Sequence, residues 1–107
     1  MTIPETKIRV GLAYRETILL VLQLQPVQMA TELRRFYNHF KDFLNFPIKN
    51  LEHYPLMIRK LVKQQAVYYE QNRPRLTVKG NAMVDTILEH QPKTFQRKWY
   101  AYLELRQ

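Results

Sequence analysis

Arg59, Lys60 and Lys63 place three cations within two helical turns, with no acid among them. Side chains of this type at this spacing bind phosphates and displace the counterions condensed on them, a chemistry that forms and breaks no bond. Lys49, Asn50 and His53 precede the group, and Arg73, Arg75 and Lys79 follow it. Arginine also reads guanine through paired hydrogen bonds, so Arg59 is the first candidate for base recognition, with Asn50 or His53 beside it. These nine residues are the candidate DNA-binding set. The same cations would also suit a solvated helix face, but the absence of an acid among them favours phosphate contact.

Other chemistries find little support. His39, His53 and His90 are scattered, with neither a His-x-x-x-His pair nor an acidic cluster, so no metal site is expected. The chain contains no serine and no cysteine, which removes the two commonest nucleophiles, and it has no glycine-rich phosphate loop. No carboxylate pair stands out for acid-base work. A cofactor-free binding protein is expected in preference to an enzyme.

The composition agrees with that expectation. Seventeen Lys and Arg against nine Asp and Glu give a formal charge of +8 and a pI near 9.9, which implies an anionic partner. Double-stranded DNA is the first choice, although RNA or an acidic protein would meet the same charge. At 107 residues and 46% hydrophobic content, the chain is read as one folded unit. Its longest apolar run, Ile18 to Leu22 with Leu24 beyond, falls short of the roughly 20 residues that cross a bilayer. Met1 to Val10 shows no secretory signal, and the lack of cysteine removes any need for an oxidising compartment, so a cytoplasmic setting is expected.

The elements that must position the cations follow from proline punctuation and apolar spacing. Ile8 and Val10 alternate with charged neighbours, as a short strand-like lead-in or a loose arm. Arg15 to Gln25 is apolar nearly all round, which suits a buried central helix better than a buried strand. After Pro26, Val27 to Phe43 carries Met29, Ala30, Leu33, Phe36, Tyr37, Phe40 and Phe43 at helical spacing, with Arg34, Arg35 and Lys41 mostly off that face. Leu44 to His53 reads as an irregular connection with one helical turn. Pro55 then opens a helix to about Gln65, with Ile58, Leu61 and Val62 inward and Arg59, Lys60 and Lys63 outward.

Ala66 to Gln71 and Arg75 to Val78 alternate as strands around a polar turn at Gln71 to Pro74, with one of Tyr68 and Tyr69 expected in the core. Thr77 is placed to cap a helix through Asn81 to Glu89 that buries Met83, Val84, Ile87 and Leu88. Pro92 precedes a last helix with Phe95, Trp99, Tyr102 and Leu103 in one stripe. Aromatic stripes favour interfaces, so these four are the candidate dimerisation residues, while Lys93, Arg97 and Lys98 offer an extension of the cationic surface.

The stretch from Ile58 to Leu88 resembles the winged helix-turn-helix domains of MarR- and PadR-like transcription regulators. The resemblance lies in a basic helix, a hairpin and the closing string Leu76, Thr77, Val78, Lys79, Gly80, and Tyr54-Pro55 is similar to a pair often found at the start of such a recognition helix, though one position off the register that the following leucines require. Where these domains usually place a glycine after that helix, this chain has Gln65. The resemblance implies a mainly α fold with a two- or three-stranded β-wing, a recognition helix in the major groove and a wing on the neighbouring backbone. It implies a winged-helix domain over 1–91 with an N-terminal arm, and a dimerising or binding helix over 92–107. The alternatives are a winged helix that docks on another protein through its aromatic side chains, and a domain for structured RNA or a replication origin.

Overall fold

The computed structural model describes residues 11–24 and 28–106. The expected lead-in at Ile8 and Val10, and the break at Pro26, lie outside them. Helix α1 (Tyr14–Val21) has almost no polar face, and it accordingly runs through the centre of the core, with Ile18 to Leu22 and Leu24 all buried. Its start is fixed by the Glu16 carboxylate, which accepts the Ala13 N–H at 2.9 Å, and by the Thr17 hydroxyl, which donates to the Ala13 carbonyl at 3.0 Å.

Helix α2 (Met29–Phe40) buries Leu33, Phe36 and Phe40 and leaves Arg34, Arg35 and Asn38 in solvent. It stops short of Phe43, because Lys41–Phe43 tightens into a 3-10 turn and the backbone extends at Leu44. There the Leu12 N–H donates to the Phe43 carbonyl at 2.7 Å and the Asn45 N–H to the Leu12 carbonyl at 3.1 Å. A hydroxyl bond from Tyr37 to the Phe46 carbonyl holds the connection against α2. The segment expected to be irregular is more ordered than its Pro and Asn content indicated: Ile48–His53 is a six-residue 3-10 helix, anchored by buried Leu51, that runs straight into α3.

Helix α3 (Tyr54–Lys63) has Pro55 in its first turn, where the missing N–H breaks no bond. It ends in the left-handed residue Gln65 (φ 64°), with the Gln65 N–H on the Val62 carbonyl and the Ala66 N–H on the Leu61 carbonyl. This pair of bonds satisfies the last carbonyls of the helix in the way a terminal glycine normally does.

The hairpin consists of β1 (Val67–Glu70) and β2 (Arg73–Leu76) in antiparallel register, Val67 opposite Leu76 and Glu70 opposite Arg73. Only Gln71 and Asn72 form the turn, both at positive φ, so Arg73 and Pro74 belong to the strand and not to the loop. Two positive φ angles define the turn whose twist matches paired strands. Pro74 is tolerated because, counting from the Glu70–Arg73 pair, it falls on a position that donates no ladder bond. Tyr68 and Tyr69 are both exposed, against the expectation that one would be core; Tyr68 borders an open hollow with Leu22, Asn81 and Leu103 and is not closed over by them.

Helix α4 (Val78–Glu89) follows its expected cap at Thr77 and ends at Glu89 as expected, but Val78, read as the end of the second strand, is its first residue. Thr77 caps it, accepting the Gly80 N–H at 3.0 Å while its own hydroxyl donates to the Gln65 carbonyl at 2.7 Å. Gly80 lies so close to the end of α3 that a Cβ there would stand 2.1 Å from the Ala66 carbonyl oxygen. Helix α5 (Lys93–Arg106) lies against α2 through ring contacts of Trp99 with Phe36 and Phe40, at 5.7 and 6.1 Å between centroids. The chain is therefore mainly helical with one small two-stranded sheet, and no third strand joins that sheet among the described residues. No described helix is long and apolar enough to cross a membrane.

Candidate nucleic-acid interface

Helix α3 is a two-faced element. Ile58 and Leu61 turn into the core and Val62 is half-buried, while Arg59, Lys60 and Lys63 are exposed. The three cations and Leu56 line one shallow hollow of about 250 Å³. Their spacing of three, four and seven residues from Leu56 puts all four side chains on one face. Among the described residues none of the three cations is ion-paired. The helix contains no acid that could neutralise them.

The face is positioned from behind. Tyr54, the first residue of α3, lies near Tyr14 of α1, and burial together with Tyr54 pushes the Tyr14 hydroxyl up to about 12, so it stays neutral. At the other end the Arg15 Nε donates to the Gln64 side-chain oxygen at 3.2 Å. Lys49, Asn50 and His53 belong to the 3-10 helix that continues into α3, with Lys49 and His53 exposed and Asn50 half-buried.

The remaining candidates do not gather at this hollow. Arg73 is exposed beside the hairpin turn. Arg75, two residues on and so on the same face of β2, pairs with Glu70 at 3.0 Å. It lines a separate hollow of about 410 Å³ with Tyr68, Leu22, Asn81 and Leu103. Lys79 is exposed in the first turn of α4 and shares a third hollow, of about 330 Å³, with Arg15 and Met83. Of the nine expected residues, Arg59, Lys60 and Lys63 share the α3 hollow, Lys49, Asn50 and His53 lie on the preceding 3-10 helix, Arg73 and Arg75 on the hairpin, and Lys79 apart on α4.

The dimerisation stripe requires correction. Phe95, Trp99 and Tyr102 are buried within the protomer, where they complete the core formed by Phe36 and Phe40. Burial raises the pKa of the Tyr102 hydroxyl even though Arg35 acts to lower it, as expected of a group closed off from solvent. Leu103 is half-buried at the edge of this packing. The large apolar side chains that α5 leaves exposed among the described residues are Tyr100 and Leu105, neither of which belongs to the expected stripe.

Two residues of the site escaped the reading of the sequence. Leu56 stands three residues before Arg59 and seven before Lys63, a spacing that marks it as part of the charged face. Arg15 gave no signal, since its bond to Gln64 joins residues 49 positions apart. Among the described residues no group of His, Asp or Glu is arranged to hold a metal ion. Compared with protein families, curated proteins and solved structures, the chain matches none.

Proposed function

We propose that this chain is a winged helix-turn-helix protein that binds duplex DNA, with α3 as its recognition helix and the β1–β2 hairpin as its wing. The observation that carries the reading is the exposed face of α3, where Arg59, Lys60 and Lys63 meet around one hollow with no carboxylate partner among the described residues. A helix of this kind fits the major groove, about 12 Å wide, and presents its cations to the phosphates that flank it. The order of elements, a basic helix followed by a two-stranded hairpin and a helix capped by Thr77, supports the winged arrangement. The net charge of +8 supports an anionic partner. The finer reading is a cytoplasmic transcriptional regulator acting as a dimer on two half-sites, and Tyr100 and Leu105 are the exposed side chains that such a dimer would cover.

Charge reversal tests the reading. Arg59→Glu combined with Lys63→Glu alters two exposed side chains, so the variant is expected to melt as the parent does while losing retention on immobilised duplex DNA. Retention equal to the parent's would remove α3 from the interface. A second reading, docking on another protein, is favoured by the exposed rings of Tyr68 and Tyr69, at 43% and 57% exposure. Under it, Tyr68→Ala with Tyr69→Ala abolishes partner binding and the charge reversal does not.

A further inference from the structure

Leu56 is 53% exposed, although Tyr54, Met57, Ile58, Leu61 and Val62 of the same helix are buried or half-buried. It shares its hollow with Arg59, Lys60 and Lys63, so a large aliphatic side chain stands within a cationic face. A face that met only phosphates would gain nothing from leucine at this position, because an apolar group makes no favourable contact with a phosphate oxygen. Packing does not account for it either, since half of the side chain contributes nothing to the core.

We infer that Leu56 is a specificity-determining residue that packs on the C5-methyl group of thymine, so that the α3 face selects thymine-bearing duplex DNA. The inference rests on the proposed DNA-binding role. The thymine methyl is the apolar feature that base edges display in the major groove. Leu56 is the third residue of α3, and recognition helices reach base edges with their N-terminal residues. Arg59 and Lys60 follow one turn later and Lys63 two turns later, which places the phosphate-binding charges around the apolar contact. RNA offers neither part of this arrangement: uracil lacks the methyl, and the A-form major groove is too deep and narrow for side chains to read.

The test compares a short alternating dA/dT duplex with the same duplex carrying deoxyuridine in place of thymidine. The parent protein is expected to bind the thymine duplex about fourfold more tightly for each methyl covered, the ratio that burial of one such group provides. Leu56→Ala, with its exposed site and a strong helix former, is expected to keep the parent's circular dichroism and melting temperature, and to bind both duplexes equally. Equal binding of the two duplexes by the parent overturns the role of Leu56 and leaves the DNA-binding reading intact. A thymine preference that persists in Leu56→Ala also overturns it, because the methyl would then be read elsewhere. Failure of the parent to bind either duplex overturns the DNA-binding reading itself.

Discussion

Gln65 and Gly80 show how far single residues govern this architecture. Gln65 occupies a left-handed conformation (φ 64°) that costs a side-chain-bearing residue roughly 1–2 kcal/mol, and glycine avoids most of that strain. Gln65→Gly is therefore expected to raise stability by up to about 1 kcal/mol, part of the gain being offset by the greater freedom of the unfolded chain. Gly80→Ala should do the opposite. Its Cβ would press on the Ala66 carbonyl and on Leu76, and overpacking of that kind costs about 1–3 kcal/mol. Urea midpoints measure both changes, and a lower midpoint for Gln65→Gly or an unchanged one for Gly80→Ala would contradict the geometry. The two residues differ in how readily the sequence reveals them. The Thr77 cap was legible because capping follows from local stereochemistry, whereas the tight approach at Gly80 is to Ala66, fourteen residues away, and belongs to the packing of α4 on the end of α3. Leu56 was not visible in the same way, since an exposed leucine looks like a core residue until the face it shares with the cations is traced.

At the level of elements, the helices were legible because their apolar spacing is imposed by the core they line. Ile58 and Leu61, or Leu33, Phe36 and Phe40, repeat at three and four residues only in a helix with one buried side. The hairpin's existence was legible and its register was not. Gln71-Asn72 lacks the glycine that usually marks a two-residue turn, and Pro74 resembles a loop residue until its place in the ladder is known. The role of α5 was misread for a different reason. An aromatic stripe has the same spacing whether it meets a second copy or its own chain, and only the position of α2 decides between them. Because Trp99 is fully buried against Phe36, Phe40 and Tyr102, Trp99→Ala is expected to destabilise the whole protein by about 3–5 kcal/mol. Thermal unfolding followed in α2 and α5 should shift together, whereas loss of α5 alone with the rest still folded would show that the helix is an appendage.

Across the whole molecule, charge and shape act together. A surplus of eight positive charges would attract any polyanion, and under the proposed reading the acid-free face of α3 is where that attraction would become docking. Arg75 is held by Glu70 on the hairpin and Lys79 stands at another hollow, so the account assigns them smaller shares of the affinity than Arg59, Lys60 and Lys63. Each cation that neutralises a phosphate adds about 0.9 to the magnitude of the slope of log affinity against log salt concentration. The most direct measurement is that slope, determined on one duplex for the parent and for the triple variant Arg59→Gln, Lys60→Gln, Lys63→Gln. The account predicts a slope shallower by about 2–3 in the variant. Parallel lines for the two proteins would show that these side chains meet no phosphate and would contradict it.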